Sequence, residues 1–361
     1  MTPSMRWLKV TACLILFEIA FLLPEAGAST SLPNDPLLNR QWGWYDIYAD
    51  RAYNSSYHGQ TITIAVLDTG VDTNHPDLKA NLIQGHNFVT GENPNNYTDT
   101  DGHGTFVAGI IAAVANNSIG IAGVAPSVKI MPLKVLTSEG GSFFNVDQAI
   151  LYAVSKNASV INMSFGTNST LDPASQNEIR FAYSHGMLLV AAAGNDNSSI
   201  PFYPAAYNDS VIAVSAVNTN NQKSSYSNYG NYIELAAPGD YICSTWSGGR
   251  YECRSGTSAA APFVSAVAAL MLSKNSSMTP SDIRNALNHE AIDLGALGWD
   301  QYYGYGLVNA CAAVSTNCSN TPGWTKGNNI PQLSIEITIP ILVVMLSLQI
   351  LRRRFGSQAT S

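Results

Sequence analysis

Five short runs of apolar and β-branched residues, TITIAVLD, KIMPLKVL, SVINMSF, MLLVAAAG and VIAVSAV, recur between residues 61 and 217. They are apolar at nearly every position rather than at every second one, so they have to be buried on both faces. Segments of helical period fall among and after them: GTFVAGIIAAVAN, VDQAILYAVSKN, NEIRFAYSHG and APFVSAVAALMLSK. Buried strands alternating with helices predict an α/β fold, a doubly wound and mostly parallel sheet flanked by helices. The pattern runs from residue 32 to residue 315 with no repeat and no low-complexity break. That length suits one large domain with a full core. In such a sheet, functional residues gather at the carboxyl ends of the strands and at the adjoining helix starts.

Charge is scarce. Only 12% of the 361 residues are charged and the formal net charge is −7, whereas about a quarter is usual in soluble proteins. The mild acidity argues against a nucleic-acid partner, which calls for a basic face. The two ends differ from the middle. Residues 1–28 carry Arg6 and Lys9, then an apolar stretch, then Ala26-Gly27-Ala28. This is the layout of a secretory signal cleaved after Ala28. Residues 316–332 read as a polar linker. Residues 333–351 form an apolar segment that could span about 28 Å as a helix, against about 30 Å of hydrocarbon. Residues 352–361 begin with three arginines and read as a basic cytoplasmic tail. The expectation is a C-terminal transmembrane anchor or sorting segment, with the main domain outside the cell.

Removal of the signal would take Cys13 with it and leave four cysteines. Cys243 and Cys253 flank WSGG and read as the arms of a hairpin, and Cys311 and Cys318 lie seven apart in a loop. Two local disulfides are expected in an oxidising compartment. A zinc site is the competing reading, but no C-x-x-C spacing supports it. Sequons at Asn54, Asn96, Asn168 and Asn275 are acceptor motifs for glycosylation.

Three polar residues stand at strand and helix junctions. Asp68 ends TITIAVLD, His103 opens the helix in DGHGTFVAGIIAA, and Ser258 lies in SGTSAAAP before another buried helix. Each has an ordinary explanation: a turn former, a surface histidine, a helix cap. Together they meet a chemical requirement. A serine hydroxyl needs a base, the base needs a carboxylate to fix its tautomer, and the oxyanion of the product needs aimed donors. The Ser258 N–H at a helix start is one such donor, and Asn195, ending AAAGN, offers a second.

In chain order, AVLDTGVDTNHPDL, GHGTFVAGIIAA, AAAGN and SGTSAAAP resemble the motifs of the subtilisin-type serine proteases, the subtilases. The resemblance covers nearly all of residues 32–315, including SIGIAGVAP, INMSFG and YYGYGLVNA. It implies a serine endopeptidase that works through an acyl-enzyme, with Ser258 as nucleophile, His103 as base, Asp68 as its partner and Asn195 in the oxyanion hole. It further implies that Ser164, Phe165 and Gly166 pair with the substrate backbone, and that Ala191, Ala192, Ala193 and Gly194 wall the pocket before the cut. The family also suggests structural calcium and no catalytic metal. Asp77, Asn117 and the carbonyls of Ala115, Ile119 and Ile121 match its tight loop, Asp35 resembles the N-terminal ligand of the thermitase branch, and Asp99 and Asp101 offer a second, weaker match.

Two departures stand out. Phe106 replaces the second histidine found in most relatives, and no room is left between Ala28 and Asn34-Asp35-Pro36 for a folding-assisting pro-domain. The resulting expectation is a monomeric, surface-tethered endopeptidase acting on proteins or peptides. The alternative is a cell-surface structural or binding component on a protease scaffold.

Overall fold

The computed structural model describes residues 31–315 and Cys318. The proposed signal, linker, membrane segment and tail lie outside the described residues. The strands, in chain order, are β1 (Thr63–Asp68), β2 (His86–Asn87), β3 (Lys129–Lys134), β4 (Leu136–Thr137), β5 (Gly140–Gly141), β6 (Val160–Met163), β7 (Leu188–Ala192), β8 (Val211–Val217), β9 (Ile233–Pro238), β10 (Ile242–Trp246) and β11 (Arg250–Arg254). The α-helices are α1 (Trp42–Asp46), α2 (Ala49–Ala52), α3 (His103–Ala112), α4 (Phe143–Ser155), α5 (Pro173–Ser184), α6 (Thr257–Lys274), α7 (Pro280–Glu290) and α8 (Ala310–Val314).

Seven strands form one parallel sheet in the order β2-β3-β1-β6-β7-β8-β9. The order reverses at β1: β3 adds on one side and β6 on the other. That reversal is where an open α/β sheet leaves a crevice beyond its carboxyl ends. Alternation along the strands separates two faces. Ala65, Leu67, Ile161, Met163, Leu189 and Ala191 join Ala149, Ile150, Ala153, Ile179 and Ala182 of α4 and α5 in one buried cluster. The residues between them, Asp68 and Asn162 included, turn to the other face, where α3 and α6 pack against each other.

Helix α6 is the only one of the described helices long and apolar enough to cross a membrane, yet 83% of it is buried in the domain. It is the core helix. Ala, Val and Ser dominate it because it packs on β6, β7, β8 and β9 and on α3 at once, leaving little space for larger side chains. Each fully buried Val or Leu there contributes about 1.5–3 kcal/mol. The helix starts are set locally: Ser142 caps α4, Asp172 caps α5 ahead of Pro173, and Thr279 with Asp282 forms a capping box on α7.

Several elements carried no clear sequence signal, β9 and α7 among them. β9 contains Glu234 and ends at Pro238, and α7 buries only Pro280, Ile283 and Leu287. They are joined by an ion pair, Arg284 to Glu234, with both side chains nearly buried. Both expected disulfides form. Cys243 and Cys253 face each other across the β10–β11 hairpin, as the sequence suggested. Cys311 lies within α8 rather than in a loop, and binds Cys318 just past the helix end.

Candidate active site

Asp68 is the last residue of β1, Ser164 follows β6, and Asn195 follows β7. The three strands are neighbours and parallel, with Leu67 level with Met163 and Met163 level with Ala191. All three residues therefore share one edge of the sheet, at the reversal point. The starts of α3 and α6 bring His103 and Ser258 to the same edge.

Asp68 is fully buried and its Oδ1 lies 2.7 Å from His103 Nδ1. The same oxygen accepts the Thr69 N–H at 2.7 Å. An ionised carboxylate can only accept, so Nδ1 carries the hydrogen and Nε2 keeps a free lone pair. About a third of the His103 side chain (32%) remains exposed. Burial lowers its pKa, but the charge and hydrogen bond of Asp68, helped by Asp101 and Asp99, outweigh that and raise it above its ordinary value. Gly104 permits the approach: a Cβ there would lie 2.1 Å from the Gly70 carbonyl and 3.0 Å from Asp68 Cβ.

Helix α6 starts differently from the cap that a serine suggests. Its N-cap is Gly256, and no side chain of its own caps it. The Thr257 N–H and hydroxyl both donate to Asn195 Oδ1, at 2.8 and 3.0 Å, and Thr257 Oγ1 accepts the Gly194 N–H at 3.1 Å. With its oxygen so committed, Asn195 turns its Nδ2 toward the opening beside Gly256. A Cβ built on Gly256 would meet Ser258 Oγ at 3.0 Å, Asn195 Nδ2 at 3.6 Å and Ser258 N at 3.7 Å. One hydroxyl and two N–H donors thus border the same small space.

The proline of SGTSAAAP has a part here. Pro262 stands four residues after Ser258 and has no N–H, so the Ser258 carbonyl loses its helical partner. Ser164 Oγ donates to that carbonyl at 3.0 Å. Behind it, Asn162 Nδ2 donates to Ser164 Oγ at 3.0 Å, and Ser265 Oγ donates to Asn162 Oδ1 at 2.8 Å. This buried chain pins the first turn of α6 to the end of β6. Of this chain only Ser164 stands out in the sequence motifs; the signal for Asn162 and Ser265 is Pro262, one turn after the serine.

Phe165 and Gly166 lie past the end of β6 and line a groove of about 580 Å³ with Leu136, Phe143, Val146 and Leu171. Ala191, Ala192 and Ala193 are buried, and Gly194 has a left-handed backbone with Asn228 packed where a side chain would be. Phe106 is buried with its ring edge-on to Trp246 at 6.2 Å. At this position an apolar core contact replaces a polar ring.

Of the residues proposed for calcium, Asp35, Asn117 and Asp77 lie together. Asp35 accepts the N–H groups of Asn116 and Asn117, at 2.8 and 3.1 Å. Asp77 accepts from Asn117 Nδ2 at 2.7 Å, Ile121 N at 3.0 Å and Tyr251 Oη at 3.2 Å. Burial pushes Asp77 up to about 6. Asn116, Ser118 and Gly120 have left-handed φ, which folds residues 115–121 tightly around the carboxylates. Tyr251 packs closely against Gly120, where no Cβ would fit, and carries no signal in the sequence. Among the described residues, no three His, Cys, Asp or Glu side chains cluster as metal ligands.

A parallel α/β sheet with an Asp–His pair and a helix-borne serine at its switch point has the layout of a serine hydrolase. The comparisons narrow the class. The Subtilase family profile matches residues 59–306. Thermitase of Thermoactinomyces vulgaris is 41% identical over 284 residues, 78% of this chain and 99% of that protein. Subtilisin of Bacillus pumilus is 44% identical over 280 residues, 76% of this chain and 98% of that protein. A solved structure described as proteases from Pseudoalteromonas arctica PAMC 21717 superposes with a TM-score of 0.74 at 33% identity, covering 79% of this chain and 99% of that one. The chain belongs to the subtilase family and is a subtilisin-like serine endopeptidase, a hydrolase of protein or peptide substrates.

Proposed function

We propose that Asp68, His103 and Ser258 are the catalytic triad, with Asn195 Nδ2 and the Ser258 N–H as oxyanion donors. The observation that carries this reading is the 2.7 Å Asp68–His103 contact, which leaves Nε2 free as a base beside the α6 start. Ser258 Oγ attacks the scissile carbonyl carbon while His103 Nε2 takes its proton. The oxyanion receives hydrogen bonds from Asn195 and Ser258, and the α6 dipole adds to them. His103 then returns the proton to the leaving amine. Water, deprotonated by the same imidazole, releases the acyl group. Ser164, Phe165 and Gly166 are assigned to substrate binding, with Ala191–Gly194 as a pocket wall, and the apolar groove favours apolar side chains.

Calcium fits the loop between Asp35 and Asp77. Two carboxylates, the Asn117 amide oxygen and the carbonyls of Ala115, Ile119 and Ile121 would supply an all-oxygen set of the kind calcium prefers. The ion would hold the loop and Tyr251 together and takes no part in the chemistry. The signal-like residues 1–28 and the apolar segment 333–351 support an extracellular enzyme tethered to the cell surface, and we read its catalytic domain as a monomer. Labelling with a serine-directed phosphonate tests the core of this reading: the wild type labels at one site and Ser258→Ala does not. A wild-type protein that neither labels nor cleaves unfolded protein in calcium overturns it.

A further inference from the structure

We propose that Asp99 is a positioning residue for His103: its buried carboxylate fixes the loop and first helical turn that carry the base. The proposal rests on the assignment of His103 as the general base. Asp99 is only 4% exposed, four residues before His103. It accepts five hydrogen bonds. Oδ1 takes Thr69 Oγ1 at 2.9 Å, Asp101 N at 3.0 Å and Gly102 N at 2.8 Å; Oδ2 takes Thr105 N at 2.9 Å and Thr105 Oγ1 at 2.6 Å. Such saturation of one carboxylate by its own loop, the first turn of α3 and Thr69 fits a clamp.

The clamp acts on the base from both sides. At the start of α3 three N–H groups lack helical partners. Those of His103, Gly104 and Thr105 go to Asp101 Oδ1, Thr69 Oγ1 and Asp99 Oδ2. Thr69 is the hinge between the two carboxylates: its N–H holds Asp68, and its hydroxyl bridges Asp99 to Gly104. Thus the backbone on each side of His103 and the oxygen bound by its Nδ1 refer to one buried group. The outside is held too. Ser247 Oγ donates to the Asp99 carbonyl at 2.9 Å, and Trp246 packs so closely on Gly102 that a Cβ there would lie 2.1 Å from the indole.

Asparagine at position 99 would keep one acceptor oxygen and aim an NH2 at donors. The loop would shift, and a shift of about 1 Å at a catalytic group costs about 10²-fold in rate. The test is kcat per active site, with sites counted by phosphonate stoichiometry. For Asp99→Asn, kcat per site is expected to fall about 10²-fold with KM within about twofold. A merely structural role would reduce the number of sites and leave kcat per site unchanged, and that result overturns the proposal. If Asp99→Asn does not fold, Thr69→Val and Thr69→Ser decide. Loss of kcat in the valine variant, largely recovered in the serine variant that restores the hydroxyl, supports the clamp. Equal values in both overturn it. A wild-type enzyme that fails to label defeats the triad assignment instead, so the two failures are distinguishable.

Discussion

The two halves of the site are fastened by different chemistry. Around His103, the loop and helix start donate to three carboxylates, Asp68, Asp99 and Asp101. Around Ser258, the side chains bonding the first turn of α6 are Asn195 and Ser164, backed by Asn162 and Ser265. None of these is charged. The difference follows the charge each half acquires in the reaction. The base becomes a cation and is stabilised by anions already in place. The nucleophile's carbonyl partner becomes an anion, which fixed neutral donors and a helix N-terminus stabilise without a counter-charge to desolvate.

The largest effect should come from the neutral half. Asn195→Ala removes one oxyanion donor and leaves the Thr257 N–H and hydroxyl without their acceptor. Kcat is expected to fall about 10²–10³-fold with KM little changed; that magnitude is the one measured for this donor in subtilisin. A KM effect equal to the kcat effect would move Asn195 from the transition state to ground-state binding. The pH profile should be the next largest effect, and it belongs to the charged half alone. Kcat/KM on a neutral peptide should rise about tenfold per unit along an acid limb lying above the ordinary imidazole value, as His103 loses its proton. Stability runs the other way. With its folded pKa raised, His103 stabilises the fold below its unfolded pKa of about 6.5, and that contribution is lost as pH rises through the folded value. The catalytically ready form is thus the less stabilised one. A flat profile from pH 5 to 8 would break the comparison. Ser164→Ala, in the neutral half, should lower kcat without moving the limb.

How far each half could be read from sequence follows the same division. Asp68, His103, Ser258 and Asn195 stood out because glycine-flanked polar residues interrupt apolar runs. Their supports did not. Asp99 is one aspartate among several in a polar loop, and nothing local says that five donors converge on it. Asn162 sits in an otherwise apolar strand, and its partner Ser265 is 103 residues away. The five predicted strands form because a sheet buried on both faces needs continuous apolar runs. β9 escaped because Glu234 is neutralised only when α7 brings Arg284 to it, a pairing that exists in three dimensions alone.

A region outside both halves gives a smaller effect. Chelation should lower the melting temperature by several degrees and change kcat little, because the Asp35–Asp77 loop lies past the end of α3 opposite His103 and holds Tyr251 of the β10–β11 hairpin. An unchanged melting temperature in EDTA would count against calcium there.

The smallest effect separates charge from geometry within the charged half. Asp101 is exposed, and its Oδ1 accepts the His103 N–H at 3.1 Å. Asparagine keeps an oxygen for that bond, so Asp101→Asn removes the charge alone. Because Asp101 helps to raise the His103 pKa, the acid limb should move to lower pH at low salt. The Debye length falls from about 10 Å at 0.1 M to about 3 Å at 1 M. The difference between wild type and Asp101→Asn should therefore shrink in 1 M salt, while the limb set by buried Asp68 persists. A difference that survives high salt would mean that the loop has moved. Asp101 would then belong with Asp99 as a fastener rather than as a source of field.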